Sequence, residues 1–152
     1  MGYAVWQIQV LEQVLASYLV MVHQIIPDTA RTEIETMFVE TAKHTLGQLF
    51  TAIRKTGGAP ELLLPRLEGF IIERNWLVHR SRHENRSDLY SSAKRTALRQ
   101  RLSAIADEAL SLMKAFQQAT EDHLIGQGMT KDDIDARAKQ IRKAVDRKRL
   151  TD

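Results

Sequence analysis

The sequence predicts an all-α protein, a bundle of four to five helices, and three observations predict it. Apolar residues recur at three- and four-residue steps along five segments, which is the period of a helix with one buried face. The strongest breakers, Pro27, Gly57-Gly58-Ala59-Pro60 and Gly126-Gln127-Gly128, fall between those segments. Finally, 152 residues with 43% hydrophobic and 27% charged side chains are enough for one domain, 1–152, with a real core.

The first helix is expected over residues 3–26. Ala4, Ile8, Leu11, Leu15, Tyr18, Val22 and Ile25 make its stripe, and Trp6, Val10, Val14 and Met21 widen it toward a second neighbour. Pro27 stops it. Asp28 is a good cap for a second helix running to about Thr56, with Ile34, Phe38, Ala42, Thr45, Leu49 and Ala52 on one side. His23 and His44 have no partner in the sequence and read as core-edge or surface residues.

The third helix starts between Glu61 and Pro65, since proline is tolerated in a first turn. Its buried side carries Leu67, Phe70, Ile71, Leu77 and Val78, and Arg74 projects on that same side. An unpaired buried charge is costly, so Arg74 needs an anionic partner or a wet cleft. The polar run 83–88 is a loop or frayed end, with Ser87 or Asp88 capping the fourth helix. That helix is built on Leu98, Leu102, Ile105, Ala109, Leu112 and Phe116. A fifth helix, about 130–149, is capped by Thr130 and has Asp132, Asp133 and Asp135 near its positive end. Its stripe (Ile134, Ala138, Ile141, Val145) is thin, so it is peripheral or lies at an interface.

Composition removes several function classes. There is no Cys, so disulfides, thiolate catalysis and Cys-based zinc sites are excluded. The uncharged stretch from Gln13 to Pro27 falls short of a membrane span and no basic residue precedes it, so a cytoplasmic protein without a membrane partner is expected. Ser81 has no nucleophile-elbow context and reads as merely polar. His79 and His83 stand four apart, but with no third ligand nearby a metal centre is not expected. Charge is uneven: Arg74 to Arg101 holds eight basic and two acidic residues, within a chain of net charge +3. A local basic field favours a polyanion.

The chemistry concentrates in Glu73-Arg74-Asn75-Trp76-Leu77-Val78-His79-Arg80. On a regular helix Arg74 and His79 are about 140° apart and cannot share one substrate. Either the helix distorts near His79, or two copies of the stretch face each other. Asn75, four residues before His79, can touch it. This wording, Arg-Asn followed by three residues and His after a Glu, resembles the Rx4-6H signature of the HEPN family of small helical proteins.

The resemblance implies a homodimer in which two motifs meet, and a metal-independent endoribonuclease with no cofactor. In that reading Arg74, His79 and Asn75 are catalytic, and Arg80, Arg82 and Arg86 guide RNA. It also implies a toxin or defence role, with an antitoxin protein as a candidate partner. The toxin branch silenced by transfer of AMP carries a Tyr two positions after the His; here Ser81 stands there, so that silencing is not expected. Two alternatives stay open. One is a non-catalytic HEPN-like module binding RNA, nucleotide or protein; the other is a helical interaction protein in which Arg74 pairs with a carboxylate from another helix.

Overall fold

The longest apolar stripe becomes the centre of the fold. The computed structural model describes residues 2–25, 28–84 and 90–149, the side chains of Arg82, Ile141, Val145, Lys148 and Arg149 excepted, and every regular element within them is helical. Helix α1 (Gly2–Tyr18) buries Ala4, Ile8, Leu11, Leu15 and Tyr18 and continues directly into a π-helical turn, Leu19–Gln24. Trp6, expected to widen the buried stripe, is instead 56% exposed. The helix gives way to extended backbone at Ile25; the proline expected to stop it lies outside the described residues.

Gly2–Gln24 is long and apolar enough to cross a membrane, 23 residues at mean hydropathy 1.3, more than its uncharged stretch alone suggested. One carboxylate, Glu12, is all that interrupts it. In the bundle 44% of that apolar window is buried, with Leu11, Leu15 and Val20 sealed from solvent, while Tyr3, Val5 and Trp6 stay exposed.

The expected second helix is two. Helix α2 (Arg31–Thr41) starts after Ala30 rather than on an Asp28 cap, and α3 (Leu46–Thr56) starts afresh at Thr45. Thr45 is no core residue: its hydroxyl accepts from the Gln48 amide while the Gln48 side chain accepts from the Thr45 amide at 2.8 Å. This reciprocal box satisfies two amides that a helix start otherwise leaves open. Gly57, at φ 67, closes α3 in the left-handed conformation that glycine adopts without a Cβ penalty.

Helix α4 (Leu63–Asn75) runs into a second π-helical turn, Trp76–Arg80, and then the short α5 (Ser81–Glu84). The long α6 (Ser92–Gly126) is capped by Ser91, later than the expected Ser87 or Asp88, which lie outside the described residues. Its Ile105, Ala109, Leu112 and Phe116 meet α1, α3 and α4 in one core. Two bidentate ion pairs, Arg66 with Glu108 and Arg101 with Glu73, tie α4 antiparallel to α6. Thr130 and Asp133 cap α7 (Lys131–Arg149) as expected. This helix leans on α2 and α6 with Ile134 buried, and leaves a groove of about 550 Å³ toward α1.

Candidate functional site

The distortion expected near His79 is there. Within the second π turn the Ser81 amide donates to the Trp76 carbonyl, five residues back, where a regular helix would use Leu77. The Leu77 carbonyl then takes the Ser81 hydroxyl, at 2.6 Å in a buried position. Ser81 therefore satisfies the backbone that the wide turn opens, which its reading as merely polar missed. Wide turns of this kind are rare and cluster at functional sites.

The wide turn takes up one extra residue, so it moves Arg74 and His79 from about 140° apart toward the roughly 40° of residues four apart. The first π turn shows the effect directly. Tyr18 and His23 are also five apart, yet the phenol oxygen and imidazole Nε2 stand 3.3 Å from each other, and the rings meet edge to face. The same shift explains the packing after Asn75. Trp76 turns inward and is buried, while Val78, expected inside, is 51% exposed.

His79 is exposed and makes no hydrogen bond or ion pair among the described residues. Arg74 is half-buried. Its Nη1 donates to Asn75 Oδ1 at 3.2 Å, its Nη2 lies 3.7 Å from Glu12 Oε1, and its Nε is buried without a hydrogen-bond partner among the described residues. The same Glu12 oxygen accepts the Leu46 amide at 3.2 Å, at the head of α3. Arg74 thus has the internal carboxylate that a buried-side arginine required. Asn75 touches Arg74; among the described residues it makes no hydrogen bond to His79.

The basic field is thinner than the sequence implied. Arg74 and Arg101 each have a carboxylate partner, whereas Arg80 is exposed and without an ion pair among the described residues. The Arg82 side chain and Arg86 lie outside the described residues, so their expected RNA-guiding role has no geometry to stand on. No group of three or more metal-ligating side chains occurs among the described residues.

Around the motif Arg101 is the residue that sequence reasoning left unassigned. Its guanidinium grips Glu73 at 2.8 and 3.0 Å and lies 3.4 Å over the Trp76 ring, and its pKa is raised, first by the hydrogen bond to Glu73. At the opposite π turn His23 also reaches Thr56 Oγ1 at 3.4 Å. Burial, and then the nearby His123, push the His23 pKa down, while burial raises that of Tyr18. Compared with known protein families, with curated proteins and with solved structures, the chain shows no significant match to any.

Proposed function

We propose that the chain is a HEPN-like, metal-independent endoribonuclease that works as a cytoplasmic homodimer, in a toxin or defence role. The observation that supports this reading is the wide turn at Trp76–Arg80, which falls inside the motif between Arg74 and a solvent-facing His79, where a regular helix would set the two about 140° apart. In the reaction the ribose 2′-hydroxyl attacks the adjacent phosphorus and the 5′-oxygen leaves, giving a 2′,3′-cyclic phosphate. His79 moves a proton at one of those oxygens, because imidazole changes charge near neutral pH. The Arg74 fork stabilises the phosphoryl oxygens as charge builds on them. Asn75 holds the guanidinium from the side, and Arg80 meets the RNA backbone. A second copy supplies the second imidazole that full acid–base catalysis uses.

The test is cleavage of RNA by the purified protein in excess EDTA, beside His79→Ala and Arg74→Ala. Each substitution is expected to lower the rate by at least about 100-fold. Equal activity in all three would remove the motif from the chemistry.

A second reading is favoured by one observation, that Glu12 forms an ion pair with Arg74 and at the same time accepts the Leu46 amide at the head of α3. In this reading Arg74 is a brace, and the chain is a non-enzymatic helical interaction protein in which the motif is structural. No cleavage and no RNA binding by the wild type, with Arg74→Ala lowering the urea midpoint, would select it.

A further inference from the structure

We propose that Arg101 is a positioning residue for His79: it holds the helix open at Trp76–Arg80 and thereby fixes where the imidazole stands relative to Arg74. The inference rests on the ribonuclease reading for its effect on rate, but not for its effect on structure.

The wide turn is gripped before, within and after itself. Glu73, in the last turn of α4, takes both donors of the Arg101 fork. Trp76, the first residue of the π turn, has its ring centroid 3.4 Å from the carbon of the same guanidinium, which stands over the ring face. On its far edge the Trp76 indole N–H donates at 2.6 Å to Glu84, the last residue of α5. Glu73, Arg101, Trp76 and Glu84 thus form one chain of contacts, anchored from α6 and spanning the turn that carries His79.

Spacing shows why this chain depends on the wide turn. In a regular helix eight residues separate Trp76 from Glu84 by about 80°; with one residue taken up by the wide turn the separation falls to about 20°. The indole–carboxylate bond therefore needs the extra residue. A guanidinium between a carboxylate and an aromatic face satisfies its charge on one side and its flat surface on the other, which a lysine cannot do. Without Arg101, Trp76 keeps no lid and Glu73 no partner, and the turn is free to close to regular α spacing. That closure would return His79 toward the opposite side from Arg74.

The experiment compares wild type with Arg101→Ala, Arg101→Lys, Trp76→Phe and, as a control, Arg99→Ala. Two readouts are taken: kcat and KM for RNA cleavage, and NMR of the free protein for the His79 imidazole and for amide exchange at Ser81. Arg101→Ala and Arg101→Lys are expected to lower kcat by about 100-fold with KM unchanged, as for a misplaced catalytic group. They should also shift the His79 resonances and speed Ser81 exchange by at least about tenfold, while the Leu112 amide stays protected. Trp76→Phe, which keeps the ring and loses the N–H, should move the same signals less, and Arg99→Ala not at all.

A raised KM at unchanged kcat would make Arg101 an RNA contact and overturn the proposal. Unmoved His79 and Ser81 signals would overturn it as well. If the wild type cleaves no RNA, the ribonuclease reading fails separately, and the two NMR signals alone decide whether Arg101 holds the turn. If Arg101→Ala does not fold, Arg101→Lys and Trp76→Phe give the same decision.

Discussion

The three nitrogens of the Arg74 guanidinium are in three different situations. One faces Glu12 at 3.7 Å, one donates to Asn75, and one is buried with no partner among the described residues. A fork in that state is held without being saturated, which leaves its Nη N–H groups able to donate to phosphoryl oxygens. Glu12→Ala is therefore expected to cost only about 1–2 kcal/mol, between the values for exposed and buried pairs. A urea titration reads it, and a loss of about 4 kcal/mol or more would make the pair a brace and favour the second reading.

Titration at His23 gives a separate prediction. Its pKa is lowered in the fold, first by burial and then by His123, so the unfolded chain binds the proton more readily. The stability this residue contributes is complete above about pH 6.5 and is lost as pH falls below it. The urea midpoint should drop between pH 7 and pH 5, and His23→Asn should flatten most of that slope. An unchanged slope would place the acid sensitivity in other groups.

The lesson at the scale of elements is that local hydrogen bonding overrode periodicity. The Thr45–Gln48 box divides what reads as one helix from Asp28 to Thr56, because a continuous apolar period conceals a restart between Thr41 and Leu46. The signal was legible as Thr-x-x-Gln, but Thr45 also fell on the apolar stripe. Thr45→Ala should cost about 1 kcal/mol by thermal or urea unfolding, the usual value of a cap; no change would mean that the restart is set by packing alone.

The helix starts near Pro65, the stops at Gly57 and Gly126–Gly128, and the Thr130 cap were all readable, because single residues dictate them. The π turns were not. Nothing in a 3.6-residue period announces where one residue will be absorbed, so Val78 was expected inside and Trp76 was assigned no side. From their spacing, Arg74 and His79 required either a distortion near His79 or a second copy facing the first; which of the two, and that the distortion would be a π turn, could not be read.

For the molecule as a whole, stability rests on α1, α3, α4 and α6, and α7 adds an outer layer over a groove. Leu112 is sealed at the centre, whereas Ile134 lies beside space that α7 can move into. Leu→Ala and Ile→Ala losses range over about 2–5 kcal/mol according to how far the site can collapse. Leu112→Ala is expected near the upper end and Ile134→Ala near the lower end; the reverse order in urea titrations would mean that α7 is integral to the core.

The central claim, that Arg74 and His79 form an RNA-cleaving site, is tested most directly by the chemistry of the product ends. RNA cleaved by the protein in EDTA would be treated with acid or with a phosphatase able to open cyclic phosphates, and the 3′ ends compared by mass. The account predicts a 2′,3′-cyclic phosphate facing a 5′-hydroxyl, absent with His79→Ala and with Arg74→Ala. A 3′-hydroxyl facing a 5′-phosphate, or cyclic ends that persist in both variants, would contradict it.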